Sequence, residues 1–252
     1  MSAPKEMPIL FSAPMVRALL AGTKTQTRRV VSKPDPKSYG GFKEMDGEVM
    51  IYNETNPTTG LNVREYAFVL NCPFQPGDVL WVREEHYAFG HWEPVEGVRT
   101  KKGRQKWKFV RAHDGIFFDA DHVPGGSWRL GRHHKDPFTK AWHKRLGRFM
   151  PRAFARITLR VKSVRVERLQ DISEEDSIAE GIQCLDERSG LYRYYTEPFA
   201  ESPEDDPRRG MTNEPVLSYE SLWTSINGPG SWEANPFVWV VTFERMEGGA
   251  AV

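Results

Sequence analysis

GTKTQTRR, residues 22–29, joins a predicted helix to a predicted strand. The residues before it, 12–20, predict a helix of about two turns with a proline in its first turn, where the missing N–H costs nothing. Gly22 stands where a helix often ends in a left-handed residue. The β-branched residues that follow predict a strand over 25–31. Lys24 therefore lies on a turn from which its side chain can reach a cleft.

The predicted strand carries polar side chains on both faces. Alternation places Thr25, Thr27 and Arg29 on one face and Gln26 and Arg28 on the other. Such a strand either borders a binding cleft or is a solvated edge strand, and the pattern leaves both interpretations open.

Composition describes an ordinary globular chain. Its 252 residues can bury a sizeable core in one large domain or two small ones, and the mean hydropathy is −0.58. No apolar run approaches the roughly 20 residues that a membrane helix needs, and the first ten residues do not predict a secretory signal. The two cysteines, Cys72 and Cys184, form no metal or redox motif and fit a reducing cytoplasm.

The net charge of +1 hides a strong segregation of charge along the chain. Residues 99–162 hold 18 basic against 4 acidic side chains, a net of +14, whereas residues 163–252 hold 7 against 18, a net of −11. A basic segment of this kind predicts a polyanionic partner, most commonly nucleic acid. The alternative is that the acidic segment folds over the basic one and neutralises it.

The basic segment interleaves cations with aromatic residues. Cations can neutralise phosphates while rings stack on bases, which is how single strands are held without reading sequence. The candidate nucleic-acid-binding residues are Lys101, Lys102, Arg104, Lys106, Trp107 and Lys108. The plainer interpretation, compatible with the first, is a β-hairpin with Trp107 and Phe109 inward and Lys106 and Lys108 in water. The nearby His133, His134 and His143 lack ligand partners at zinc spacing, so no metal site is predicted.

Three further segments predict strands. Residues 79–84 read as an apolar strand whose end, Arg83 and Glu84, is either a pocket rim or a routine ion pair. Residues 155–166 alternate as a half-buried strand whose register shifts after residue 162, which indicates a bulge. Residues 235–243 are apolar on both faces, as in a central strand.

Two helices are predicted in the carboxy-terminal third. Ser173 begins a capping box, with Ile178 and Ile182 on the buried side and Gly181 at the end. Glu180 lies in the last turn, where the helix dipole disfavours an acid by roughly 0.3–1 kcal/mol, so it is either retained for function or simply exposed. Ser218 is expected to cap a second helix, whose apolar stripe is Tyr219, Leu222, Trp223 and Ile226.

These segments together resemble the ASCH family, whose domains are small β-barrels related to the RNA-binding PUA fold. The resemblance rests on the pattern G-x-K-x-x-T-x-R at residues 22–29, on LWVRE at 80–84, on MPR at 150–152 and on LWxxING at 222–228. Long ASCH proteins of this pattern are often found in phages and prophages. The resemblance implies an α+β, mainly β fold. It would be a PUA-like (ASCH) small β-barrel with short helices, a single domain over residues 7–246 with long loop insertions at about 33–70, 90–148 and 186–215.

The resemblance also implies an activity, because some bacterial members hydrolyse N4-acetylcytidine with a Lys, a Thr and a Glu. Lys24, Thr27 and Glu180 match those three positions. The residues then expected to bind substrate are Arg28, Arg29, Trp81, Arg83 and Glu84. No cofactor is implied, and the partner is a modified nucleoside or nucleic acid, RNA rather than DNA.

The proposed roles conflict in one respect. Lys24 could act as the base if burial and Arg29 lower its pKa, but a nearby Glu180 carboxylate would raise that pKa. Thr27 could attack the amide or hold the attacking water. The rival functions are a non-catalytic RNA- or DNA-binding module, in which Trp107 or Trp128 stacks on a base, and a nuclease that uses the same basic cleft.

Overall fold

The computed structural model describes residues 4–31, 41–45, 48–52, 66–70, 72–121, 128–129, 137–186, 188–195 and 210–246. Residues 41–45, 48–52, 66–70 and 128–129 are described by their backbone alone. Residues 201–207, within the expected insertion at about 186–215, lie outside the described residues, as do His133 and His134.

The described residues form three α-helices and fifteen strands, an α+β fold that is mainly β. The helices are α1 (Ala13–Ala21), α2 (Glu174–Ala179) and α3 (Pro215–Asn227). The strands are β1 (Glu6–Leu10), β2 (Gln26–Val30), β3 (Gly41–Met45), β4 (Glu48–Tyr52), β5 (Tyr66–Leu70), β6 (Val79–Arg83), β7 (His86–Arg99), β8 (Gln105–Phe118), β9 (Trp128–Arg129), β10 (Ala141–Arg145), β11 (Thr158–Arg168), β12 (Cys184–Asp186), β13 (Leu191–Arg193), β14 (Met211–Thr212) and β15 (Phe237–Arg245).

The chain forms two compact units, and its path crosses between them more than once. Unit 1 comprises Met1–Glu6, Ala18–Val79 and Leu159–Arg245, and unit 2 comprises Met7–Arg17, Leu80–Thr158 and Met246–Val252. The single domain expected over 7–246 stays a prediction.

Unit 1 is built on an antiparallel sheet in which β15 lies between β11 and β2. The first five side chains of β15 are buried, as the prediction of a central strand requires. The register of β11 shifts between Val161 and Ser163, which confirms the predicted bulge. Two smaller antiparallel sheets, β3-β4-β5 and β12-β13-β14, belong to the same unit.

Unit 2 is dominated by a long hairpin of β7 and β8, with β10 on the other side of β7. Its turn closes through Gly103, whose φ of +74° is readily adopted only by glycine. Trp107 and Phe109 are half-buried while Lys106 and Lys108 are exposed, which confirms the hairpin interpretation. A small core of Trp81, Met150 and Ala155 packs beside the Phe118 and Phe154 rings.

The structure departs from the expected closed barrel. Among the described strands the sheets are open. In unit 1, β2 is paired on one side only, by β15, so the sheet ends there instead of closing. Within the described ranges, no helix is long and apolar enough to cross a membrane.

Three details of the predicted helices are wrong. Ile178 is 42% exposed, because the short α2 buries Ser177 instead, whereas Ile182 is buried as expected. Ser218 does not cap α3, which begins at Pro215 after Glu214; its hydroxyl donates to the Arg193 carbonyl at 2.7 Å. In the predicted stripe, Tyr219, Leu222 and Trp223 are buried but Ile226 is 58% exposed.

Candidate functional site

The loop that carries Lys24 is held from both sides. Gly22 ends α1 with a φ of +77°, and the amides of Thr23 and Lys24 both donate to the carbonyl of Ala18. The next amide, that of Thr25, donates to the Ala179 carbonyl at 2.9 Å. These backbone bonds fix the position of Lys24 between the end of α1 and the end of α2.

Lys24 and Glu180 are in direct contact. The Lys24 Nζ donates to the Glu180 backbone carbonyl at 2.6 Å and to the Glu180 Oε2 at 2.9 Å. Their side chains are only 1% and 4% exposed. Burial lowers the pKa of the Lys24 amine, an effect that the Glu180 carboxylate opposes and the charges of Arg29 and Arg28 reinforce. The net direction is downward, so the structure resolves the conflict between burial and the carboxylate in favour of burial.

The geometry of α2 places Glu180 at this point. Ser173 caps the helix by accepting from the Asp176 amide at 3.1 Å, as predicted. Glu180 is the last residue in a helical conformation, and Gly181 follows with a φ of +82°. A Cβ on Gly181 would lie 2.8 Å from the Lys24 Cβ and 2.8 Å from the Ala18 Cβ. Only glycine therefore allows both the turn and the close approach of Lys24.

Arg28 gathers three carboxylates on the same side of β2. Its guanidinium donates to Glu180 Oε1 at 3.0 Å, to Asp176 Oδ2 at 2.7 Å and to Glu167 Oε1. The Arg28 side chain is fully buried. Burial would lower the pKa of Arg28, but the carboxylates of Glu180 and Glu167 raise it overall. Arg28 thus holds Glu180 in place from the side opposite Lys24; its predicted contact with substrate stays a prediction.

Tyr219 of α3 forms a wall of this site. Its ring lies 5.7 Å from the Arg28 guanidinium. Burial raises the pKa of the Tyr219 phenol well above its ordinary value, and the Glu180 carboxylate raises it further. The phenol is therefore neutral at physiological pH.

Thr27 lies on the other face of β2. Gln26 and Arg28 both face α2, since the Gln26 amide donates to the Asp176 carbonyl at 2.8 Å and Arg28 contacts Glu180. Thr27 alternates with them and is 4% exposed. Arg29, half-buried, is also expected on that opposite face, and burial lowers its pKa. Of the three predicted catalytic residues, the structure brings together Lys24 and Glu180. Thr27 lies one residue before Arg28 in β2, on the opposite face of the strand.

Trp81, Arg83 and Glu84 belong to unit 2. Glu84 is 1% exposed and does not pair with its neighbour; it accepts from Arg156 through both oxygens at 2.9 Å. Burial raises the pKa of the Glu84 carboxyl, while Arg156 opposes the rise. Arg83 instead lies over the Trp81 ring at 4.5 Å. The predicted role of these residues in binding substrate stays a prediction.

The predicted nucleic-acid-binding residues cluster at the tip of the hairpin. Lys101, Lys106, Trp107 and Lys108 line one pocket, whereas Lys102 and Arg104 are exposed at the turn. Sequence reasoning missed the other side of this pocket, which Trp92, Arg145 and Phe149 supply. The side chain of Trp128, the alternative stacking residue, lies outside the described side chains.

Possible metal ligands are scattered. Across the described residues, no three His, Cys, Asp or Glu side chains converge as a metal site would require. The buried His143 accepts from the Trp92 indole N–H at 3.3 Å. Cys72 and Cys184 are both free thiols.

Sequence reasoning also missed Glu167, Asp176 and Tyr219. No local pattern marks them, because each meets Arg28 across more than a hundred residues of chain. Asp176 reads from the sequence only as a first-turn acid of α2, which is a common position for such residues.

Comparisons with known proteins add no relative to this picture. Neither a protein-family model, nor a curated protein, nor a solved structure matches the chain.

Proposed function

We propose that this chain is an ASCH-type, PUA-related protein that hydrolyses an N4-acylated cytidine-type amide, with Lys24 as the base. The observation that carries the proposal is the buried contact between the Lys24 amine and Glu180. Strongly perturbed ionisable groups held beside a charge partner are more frequent at catalytic sites than elsewhere.

Lys24 is held as an ion pair with Glu180, and its lowered pKa increases the fraction of neutral amine that can act as a base. A charged lysine has three N–H donors, and a neutral one has two donors and a lone pair. Glu180 accepts two hydrogen bonds from Nζ, one at its carbonyl and one at its carboxylate. The neutral amine can keep both of these hydrogen bonds and then carries a lone pair. Such an amine can take a proton from an attacking nucleophile.

The nucleophile is proposed to be water. Thr27 projects from the face of β2 opposite Arg28 and the Glu180 carboxylate that Arg28 binds. Water activated by Lys24 would attack the acyl carbon, and the bond between the acyl carbon and N4 would break. The exocyclic nitrogen N4 would receive the proton from Lys24, and cytidine would leave. Arg28 and Glu180 act by position: Arg28 orients the carboxylate, and the carboxylate orients the amine.

Purified protein incubated with N4-acetylcytidine tests the proposal, with release of cytidine and acetate followed by chromatography. Lys24→Ala is expected to lower the rate by at least about 100-fold, the lower range of a general base. Lys144→Ala is the matched control, because Lys144 is also ion-paired, to Glu85 and Asp119 at 2.9 Å, but stands outside the proposed site. Equal activity in the two variants, or no hydrolysis by the folded wild type of this or other N4-acylated cytidines, would contradict the proposal.

A further inference from the structure

A pocket of about 480 Å³ lies at the hairpin of unit 2. This volume falls in the range of about 300–1,000 Å³ that small-ligand sites occupy. Five of the lining residues are cations: Arg99, Lys101, Lys106, Lys108 and Arg145. Four more are aromatic: Trp92, Trp107, Phe109 and Phe149. The described lining contains no acidic side chain.

Arg145 is stacked among three of these rings. Its guanidinium carbon lies 4.7 Å from the centre of the Trp92 ring, 4.5 Å from that of Phe109 and 5.1 Å from that of Phe149. Stacking contacts the face of a guanidinium, whereas its hydrogen-bond donors lie in its plane. The rings therefore hold a cation in a fixed orientation at the wall of the pocket.

The lysines at the rim keep their positive charge exposed. Lys101 and Lys106 are exposed, and neither has an ion-pair partner within the part of the chain that the structure describes. Lys108 meets the Glu93 carboxylate at 3.2 Å, but both side chains are well exposed, so that pair is worth little. The rim thus presents a concentrated positive potential to solvent, in the segment whose sequence carries the net charge of +14.

The aromatic surface of the pocket is also accessible. Phe149 is 45% exposed and Trp107 is half-buried. Exposed rings beside unneutralised cations suit a ligand that combines a flat ring with a phosphate. A base in a duplex has its faces covered by its neighbours, whereas an unpaired base can be splayed out and stacked. These features together favour a single strand over a duplex.

We propose that this pocket binds single-stranded nucleic acid, with one unpaired base against the aromatic rings and the flanking phosphates on the rim lysines. The residues that line this pocket belong to unit 2, whereas Lys24, Arg28 and Glu180, which are proposed to carry the hydrolysis, belong to unit 1. The pocket therefore gives the protein a strand-binding function that does not depend on the proposed activity.

Fluorescence anisotropy with a labelled single-stranded oligouridine tests this proposal, at salt concentrations from about 50 to 200 mM. Wild-type protein is expected to bind the single strand more tightly than a duplex of equal length, and more tightly than free uridine monophosphate. Trp107→Leu keeps an apolar side chain but removes the stacking face, and it is expected to weaken binding at least about fivefold. Lys106→Glu is expected to weaken binding and to make the slope of log affinity against log salt shallower by about 0.7 for each phosphate that the variant no longer neutralises.

Lys140→Glu is the matched control for Lys106→Glu. Both lysines are exposed in unit 2 and both changes alter the net charge equally, but Lys140 does not line the pocket. Equal weakening by the two variants would mean that only the overall charge matters, and it would overturn the proposal. Duplex or free nucleotide bound as tightly as the strand, or no binding at low salt, would overturn it too. Strand binding is expected to survive Lys24→Ala, and cytidine release to survive Lys106→Glu, so the two proposals can fail separately.

Discussion

Replacing Glu180 with glutamine tests the buried charge arrangement of the Lys24 site. The carboxylate lies between two cations, 2.9 Å from the Lys24 Nζ and 3.0 Å from the Arg28 guanidinium. After the substitution, Arg28 retains Glu167 and Asp176, whereas Lys24 retains its hydrogen bond to the backbone carbonyl of residue 180 but loses the carboxylate as its counter-ion. Lys24 is then expected to lose its proton in the folded protein, because a buried charge without a counter-ion is costly.

The pKa of a free lysine sets the upper limit of the loss. Removing a proton from an amine with an ordinary pKa of 10.5 costs, at pH 7, about 5 kcal/mol, at 1.36 kcal/mol per pH unit. Breaking a buried ion pair from one side typically costs about 3–5 kcal/mol. We therefore expect Glu180→Gln to lower the free energy of unfolding by about 3–5 kcal/mol at pH 7.

The loss has a characteristic pH dependence. In the variant, the unfolded chain binds one proton at Lys24 that the folded chain does not, so stability rises with pH until the unfolded lysine titrates near 10.5. The difference between variant and wild type should shrink by up to about 1.4 kcal/mol per pH unit from neutral pH up to the folded-state pKa of Lys24 in the wild type, which lies below 10.5.

Urea denaturation followed by tryptophan fluorescence, at pH 7 and in mildly alkaline buffer, measures both effects. Glu174→Gln is the matched control, because Glu174 is an exposed acid of the same helix and is expected to cost less than about 1 kcal/mol. A loss as small as that of the control, or one that does not change with pH, would refute the reasoning.

Three further predictions concern neighbouring residues. Thr27→Val should lower the rate of cytidine release by no more than about tenfold, whereas removal of a true nucleophile costs several orders of magnitude more; steady-state kinetics against Thr27→Ser decides between them. Gly181→Ala should lower the free energy of unfolding by at least about 1–2 kcal/mol and displace Lys24. Gly190→Ala is the control, because Gly190 also has a positive φ, of +61°, but has open space around it, so cytidine release should stay intact. Thermal unfolding measures the stability of each variant, and the hydrolysis assay measures its activity. Burial would raise the pKa of Asp176, but the hydrogen bond and charge of Arg28 and the charge of Arg165 lower this pKa below 3.8. The carboxylate therefore contributes to stability above that pH, and the contribution is lost as the pH falls through the folded-state pKa. If the free energy of unfolding of Asp176→Asn falls as steeply with acid as that of the wild type, the prediction is contradicted.

Local chemistry made several elements of the fold predictable. The serine at 173 has a side chain that satisfies a helix amide, and the change of phase after Val161 marks a bulge. The run of apolar residues at 237–241 is typical of a strand covered on both faces. Each of these signals acts over a few residues, so the sequence alone displays it. Ser218 misled because a hydroxyl that can cap a helix can equally donate to a distant carbonyl.

The candidate site was predictable only in part. The sequence places Lys24 on a turn and Glu180 at a helix end, but only the resemblance to the ASCH family implied that the two side chains meet. Arg28, by contrast, was expected at substrate, and its three carboxylates come from β11 and from α2 and its C-terminal end, with no spacing rule to link them. The Arg145 cluster has this origin in part, because Trp92 meets Arg145 through the pairing of β7 with β10, whereas Phe149 lies only four residues after Arg145 in the chain.

Lys24→Arg tests the central claim most directly, because arginine keeps the positive charge beside Glu180 but cannot act as a base near neutral pH. We expect a folded variant, as judged by its circular dichroism, that releases cytidine from N4-acetylcytidine at least about 100-fold more slowly than the wild type. A folded Lys24→Arg protein that hydrolyses the substrate at the wild-type rate would contradict the account.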